Sequence, residues 1–193
     1  DIFVLLELNW KRGGYFVEFG ATDGKTLSNT YLLEKEYGWT GLLAEPSASQ
    51  RKDIAAVRNA RIETKCVWSR TGETLVFNDI GDLSTIDAFS TSDFHAEARS
   101  GGTRYEAQTI SLTDMLAAHD APQDIDYLSI DTEGSEFEIL AAHDFSKYAF
   151  KVITCEHNYA EERQKIADLL ASKGYVRKYE KASKFDDWYV RSI

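Results

Sequence analysis

Four short segments hold the residues able to do chemistry. In "YFVEFGATDG" (15–24), an apolar run ends in Glu18, Gly20, Ala21, Thr22, Asp23 and Gly24. Glycines at the C-terminal end of a strand let a ligand approach the backbone closely. A dinucleotide loop would carry a third glycine where Thr22 stands, and Asp23 would repel a pyrophosphate. Two acids there suit a cationic or zwitterionic group, such as an ammonium or a sulfonium. In "LLAEPS" (42–47), Glu45 precedes Pro46 at the end of the next apolar run, where an acid accepts from the paired hydroxyls of a ribose. "IDYLSIDTEGSEFEIL" (125–140) puts Asp131 and Glu133 at a third strand end, placed to touch substrate or metal. "TCEHNYAEE" (154–162) puts Glu156, His157 and Asn158 at a fourth. Asp131 and Glu156 offer oxygens to a divalent ion such as Mg2+. Asp131 or His157 alternatively accepts a proton from a hydroxyl. His95, His119 and His143 have no comparable surroundings, and Cys66 and Cys155 lack the partners of a zinc site.

These segments require alternating strands and helices. Strands are expected at 15–19, 41–45 and 61–68, with helices at 28–38 and 47–59 between them. Ser28 and Ser47 stand as their caps, and Gly38 ends the first. A β-α-β-α-β order implies parallel strands joined by right-handed crossovers. Strand-like runs come next at 72–78 and 103–110. Between them, 79–103 is polar and shows no period, so it reads as an irregular excursion over the sheet, on the side where substrate is chosen. Ser111 and Asp114 stand at capping-box spacing before a helix at 111–119. Strands at 125–131 and 150–156 alternate with helices at 135–143 and 160–174. The last two strand-like runs, 175–183 and 186–193, are joined too tightly for a helix and form an antiparallel hairpin.

The chain has 193 residues, 43% of them hydrophobic and two of them proline, which suits one globular domain spanning 1–193. A net charge of −10 argues against bulk electrostatic binding of nucleic acid or of an anionic membrane. No apolar run has the length of a spanning helix. Two cysteines give no disulfide framework and fit a reducing, cytoplasmic compartment. The apolar start "DIFVLLELNW" lacks the marks of a signal peptide, and without an initiator Met the chain reads as a fragment of a longer one.

The blocks 14–47 and 110–140 together closely resemble the FkbM family of methyltransferases, and the similarity extends over nearly the whole chain. The resemblance implies a class I, Rossmann-like α/β fold: three α/β/α layers around a seven-stranded, mostly parallel sheet in the order 3-2-1-4-5-7-6. It also implies S-adenosylmethionine as cofactor. Glu18 and Gly20 to Gly24 match the family's first cofactor motif. Asn29, Glu45 and Pro46 match the segments beside it, with Glu45 as the ribose ligand. Val67 and Trp68 would flank the adenine. Asp131, Thr132, Glu133 and Gly134 match the second hallmark. The activity so implied is O-methylation of a hydroxyl on a sugar or small natural product. The alternative is a catalytically silent interaction or trafficking module, because "SNTYLLE…GWTGLLAEP" also resembles a eukaryotic branch related to the Star protein.

Overall fold

The computed structural model describes every residue except Asp93, Ala160 and Ile193. The expected helix start at Ala160 and strand end at Ile193 therefore lie outside the described residues, as does Asp93 within the excursion.

The apolar runs form the main sheet. β1 (Tyr15–Phe19) pairs in parallel with β2 (Thr40–Ala44) on one side and β8 (Asp124–Ile130) on the other. β2 carries β3 (Arg61–Glu63) at one edge, and β8 carries β9 (Ala149–Glu156). The hairpin of β10 (Tyr175–Lys178) and β11 (Asp186–Arg191) closes the other edge, with β11 antiparallel to β9. Numbered within this sheet, the strands run 3-2-1-4-5-7-6, as expected. Neighbours β1 and β8 feed crossovers in opposite directions, so the crevice beyond their C-terminal ends is the switch point of the sheet.

Both faces of the sheet are covered. On one, α1 (Ile2–Glu7), α2 (Tyr31–Tyr37) and α3 (Arg51–Val57) bury Phe3, Val4, Leu5, Leu33 and Ile54 against Phe16, Leu43, Tyr127 and Val152. On the other, α5 (Leu112–Ala118), α6 (Glu136–Ala142) and α7 (Glu162–Ser172) bury Leu116, Leu140 and Leu170 against Val17, Leu42, Leu128 and Ile153. Each such side chain contributes about 1.5–3 kcal/mol when fully buried. The period-two split of β1 and β8 between the two faces fixes the register, because a one-residue slip would exchange the two cores.

Three local expectations are corrected. The run 61–68 is two strands. The Glu63 carboxylate takes the N–H groups of Thr64 and Lys65, both at 2.9 Å, which interrupts the ladder. β4 (Cys66–Trp68) then leaves the main sheet. Ser28 and Ser47 do not cap helices: α2 and α3 start later, after Thr30 and Gln50. Ser28 donates to Glu18 and Ser47 to Asp79, each at 2.8 Å. The Ser111 cap forms as expected, accepting from the Asp114 N–H at 3.1 Å.

The largest correction concerns the excursion. β4, β5 (Thr74–Asp79), β6 (Thr85–Ile86) and β7 (Thr103–Ser111) form a second, four-stranded sheet in the order β4-β7-β5-β6. Two single-turn 3-10 helices, at Gly81–Leu83 and Asp87–Phe89, and α4 (Ala96–Arg99) fill the stretch between β5 and β7. Fully buried Asn78 ties this stretch together, donating to Ser90 Oγ at 2.9 Å and to the Arg99 carbonyl at 3.0 Å. Periodicity does not reveal such a segment because polar contacts hold it more than an apolar stripe does.

Candidate active site

Gly20 sits at the end of β1 with φ +74°, and a Cβ there would lie 2.0 Å from the Asp131 carbonyl oxygen. Only glycine lets the ends of β1 and β8 come this close. The chain then turns through Thr22, itself at φ +47°. Glu18, 1% exposed, organises the segment beyond this turn. Its carboxylate accepts from Ser28 Oγ at 2.8 Å, from the Asn29 N–H at 2.6 Å and from Thr30 Oγ1 at 2.5 Å. Arg58, at the end of α3, lies 3.7 Å from Glu18 and 2.9 Å from Glu34. Asp23 closes its own turn, accepting from the N–H groups of Lys25 and Thr26 and from the Thr26 hydroxyl. Those bonds, the hydroxyl's first, hold its carboxyl below the usual range.

At the end of β2, Glu45 is 4% exposed and accepts from the Ser47 N–H at 2.8 Å. Burial pushes its pKa up to about 7. The second sheet braces this loop: Asp79 accepts from Ser47 Oγ at 2.8 Å, Ser49 Oγ at 3.0 Å and Tyr105 Oη at 3.0 Å.

At the ends of β8 and β9, one oxygen each of Asp131, Glu133 and Glu156 lie within 4.8 Å of one another. Burial first, and then like charges, raise Asp131 and Glu156 well above the usual carboxylate range. Glu133 has φ +59° and a different environment. Its Oε2 accepts from the buried Arg99 guanidinium at 2.7 Å and from Asn158 Nδ2 at 3.1 Å. Thr85 Oγ1 donates to the Glu133 carbonyl at 3.0 Å, so the excursion is anchored on this turn twice. Behind it, Glu136 accepts from the N–H groups of Thr132 and Gly134.

The four strand ends open onto one cavity of about 560 Å3. Its volume lies within the range of sites for small molecules and cofactors. The two sheets meet across it: Gly20, Glu45 and Asp131 come from the main sheet, and Val67, Phe77 and Ile86 from the second.

Residues 18–185 match the protein family described as the Methyltransferase FkbM domain. The chain belongs to the FkbM methyltransferase family. It is therefore an S-adenosylmethionine-dependent methyltransferase by class. Among solved structures, methyltransferase FkbM from Methylobacillus flagellatus KT is similar, with TM-score 0.57 and 12% identity. The match covers 92% of this chain and 43% of that one. The METTL16 MTase domain has TM-score 0.50 and 11% identity over 98% of this chain and 64% of that one. Precorrin-6y C5,15-methyltransferase from Geobacter metallireducens GS-15 has TM-score 0.48 and 12% identity over 98% and 84%. At these identities the likeness is one of fold. No curated protein matches the chain.

In this FkbM domain, Gly20, Thr22, Asn29, Glu45, Pro46, Val67, Asp131, Thr132, Glu133 and Glu156 all line the cavity. Glu18, Ala21, Asp23, Gly24 and Trp68 do not. Glu18 and Asp23 bond to the turn around them, and Ala21 belongs to the core. Trp68 donates to Glu73 at 3.1 Å. His157 also lies away from this cavity; its Nδ1 accepts from the Tyr159 N–H at 3.0 Å. Burial, reinforced by Arg163, lowers its pKa. Other lining residues give no signal in the sequence. Leu27, Phe94 and Phe185 are exposed apolar side chains at the cavity, joined there by His95 and Lys184. Arg58 and Arg99 give none either, since nothing local marks an arginine as buried.

The lining fits the adenosyl group. Thr22 Oγ1 is buried and has no hydrogen-bond partner. Glu45 has acceptor capacity beyond its bonds to the backbone. Val67, Phe77 and Ile86 supply an apolar wall for a flat base. Among the described residues, no helix is long and apolar enough to cross a membrane.

Proposed function

We propose that the chain transfers a methyl group from S-adenosylmethionine to a hydroxyl of a small molecule. One observation carries this reading: carboxyl oxygens of Asp131, Glu133 and Glu156 lie within 4.8 Å of one another on a cavity that Glu45 and an apolar wall also line. When bound, S-adenosylmethionine supplies an activated methyl group on a sulfonium centre. Glu45 accepts from the ribose diol, Thr22 Oγ1 takes up a polar atom of the ligand, and Val67 with Phe77 encloses the adenine. Asp131 in its ionised form would face the positive end of the donor and receive the proton of the acceptor hydroxyl, with Glu156 beside it. The excursion, held by Arg99 and Thr85, excludes water from the cavity. His157 supports the β9 turn and borders the acceptor side without touching the cofactor.

Asp131, Glu133 and Glu156 also form a donor set suited to a divalent ion such as Mg2+. Arg99 already compensates Glu133, and the proposed steps use no metal. Activity should survive dialysis against EDTA and gain nothing from added magnesium.

Calorimetry tests the reading directly. S-adenosylmethionine and S-adenosylhomocysteine should bind at micromolar concentration, and absence of binding at millimolar concentration would defeat it. A labelled-donor screen over sugars and small polyols should then show transfer to oxygen.

A further inference from the structure

Apolar side chains open to water stand around the mouth of the large cavity. Leu27, Phe94 and Phe185 line it and are 58%, 64% and 49% exposed. Tyr159, 63% exposed, extends this rim, its ring edge-on to Phe185 with centroids 6.0 Å apart. We propose that the rim is a subsite for an aryl group that the acceptor carries beside the hydroxyl to be methylated. The inference rests on the function proposed above, in which this cavity holds the methyl donor. It concerns the part of the acceptor that the transfer leaves unchanged.

Convergence is the first argument. The four side chains come from four separate segments: the turn after β1, the excursion, the turn after β9 and the loop between β10 and β11. Single exposed apolar residues are ordinary, but several gathered around one opening mark a binding surface. Polar bonds pin the segments that carry them. The Asp23 carboxylate takes the N–H groups of Lys25 and Thr26, just ahead of Leu27. The Phe185 carbonyl accepts from the His157 N–H at 2.8 Å, which ties the hairpin loop to the turn after β9.

Position is the second. Phe185 precedes Asp186, which pairs across the ladder with Glu156. Phe94 precedes α4, whose last residue, Arg99, holds Glu133 at 2.7 Å. Both rings thus belong to segments anchored beside the acids at the ends of β8 and β9, away from Glu45 on β2. A hydroxyl brought to Asp131 leaves the rest of its molecule facing this rim.

Chemistry is the third. Phe94, Tyr159 and Phe185 are aromatic, and ring-on-ring contact adds to the gain from buried area. A hydroxyl-rich group at the same place would give up water for walls that return no hydrogen bond. Lys184, next in the chain to Phe185, also lines the cavity, and a lysine ammonium complements the face of an aryl ring.

Titration of the protein saturated with S-adenosylhomocysteine tests this on two matched pairs: phenyl against methyl β-D-glucopyranoside, and 2-phenylethanol against ethanol. In each pair the aryl compound should bind about fivefold or more tightly than its partner. Phe94→Ser or Phe185→Ser, changes at exposed positions, should narrow that ratio about threefold or more, with S-adenosylhomocysteine affinity kept within about twofold. A smaller ratio in either pair, no binding by an aryl compound, or a ratio that neither variant narrows would overturn the proposal. Sedimentation with phosphatidylcholine vesicles separates an aryl group from a lipid surface. The protein should stay in solution; sedimentation that the two variants abolish would make the rim a membrane contact and overturn the subsite. Failure of S-adenosylhomocysteine to bind would instead defeat the proposed function, and the same ratios on the free protein would still decide the subsite.

Discussion

Glu18 and Asp131 stand at the C-terminal ends of neighbouring strands, and they are held in opposite ways. Around Glu18 the chain supplies an N–H, two hydroxyls and the Arg58 guanidinium, so the carboxylate is satisfied from within. Asp131 has a second acid for a neighbour, and burial with like charge pushes its carboxyl above the usual range. Both are acids at strand ends beside glycines, yet the first builds the turn and the second waits for a charge from outside. Burial alone does not separate a structural acid from a reactive one; the supply of donors around it does.

Removing the donors should have the largest effect. Arg58→Met leaves Glu18 buried without its counter-ion and Glu34 with Lys35 alone, and should cost about 3–5 kcal/mol. That is a large part of the roughly 5–15 kcal/mol that stabilises a domain. Denaturant titration reads it, and a loss under about 1 kcal/mol would mean that the turn does not depend on this network.

Asp131→Asn should behave in the reverse manner. Turnover should fall by about 10²-fold or more while the folded state is preserved. The raised pKa values set the sign of the pH effect. A group that binds its proton more tightly in the folded state favours folding at low pH, and that contribution is lost as pH rises through the folded value. Wild-type stability should therefore decline above the ordinary carboxylate range, and Asp131→Asn should flatten the decline. Unchanged turnover in this variant would remove Asp131 from the chemistry.

Glu45 sharpens the contrast at intermediate size. It is satisfied in part, and its pKa is pushed up to about 7. The ionised form is the better acceptor for a ribose diol, so S-adenosylhomocysteine affinity should rise about tenfold between pH 6 and pH 8. Glu45→Gln should bind more weakly and with no such slope. A flat wild-type profile would mean that the diol sits elsewhere.

The smallest effect is expected at Asp23, whose bonds stay within its own turn. Asp23→Ala should cost about 1 kcal/mol and leave S-adenosylhomocysteine affinity within twofold. A tenfold loss of affinity would show that this acid reaches the ligand.

Much of the main sheet could be read along the chain, because its causes are local. The runs that became β1, β2, β8 and β9 are apolar and short, and the final two are too close for a crossover, which is enough to give the alternation and the closing hairpin. The mouths of those strands, with Glu45, Asp131 and Glu156, were legible too, since side chains at strand ends are fixed by where the strands stop. The run 61–68 misled because the break lies in one side chain: Glu63 takes two backbone N–H groups that a strand would have used.

The amino-acid order thus dictated strands, crossovers and the acids at their ends, all of which depend on neighbours a few residues apart. It did not dictate which acids would be neutralised. Arg58 reaches Glu18 across 40 positions and Arg99 reaches Glu133 across 34. Glu138 Oε2 is left buried without a partner only in the folded chain. Charge compensation and desolvation act through space and depend on distances that folding alone sets. The division of the site into one acid that is satisfied and another that is not therefore emerges only in the packed molecule.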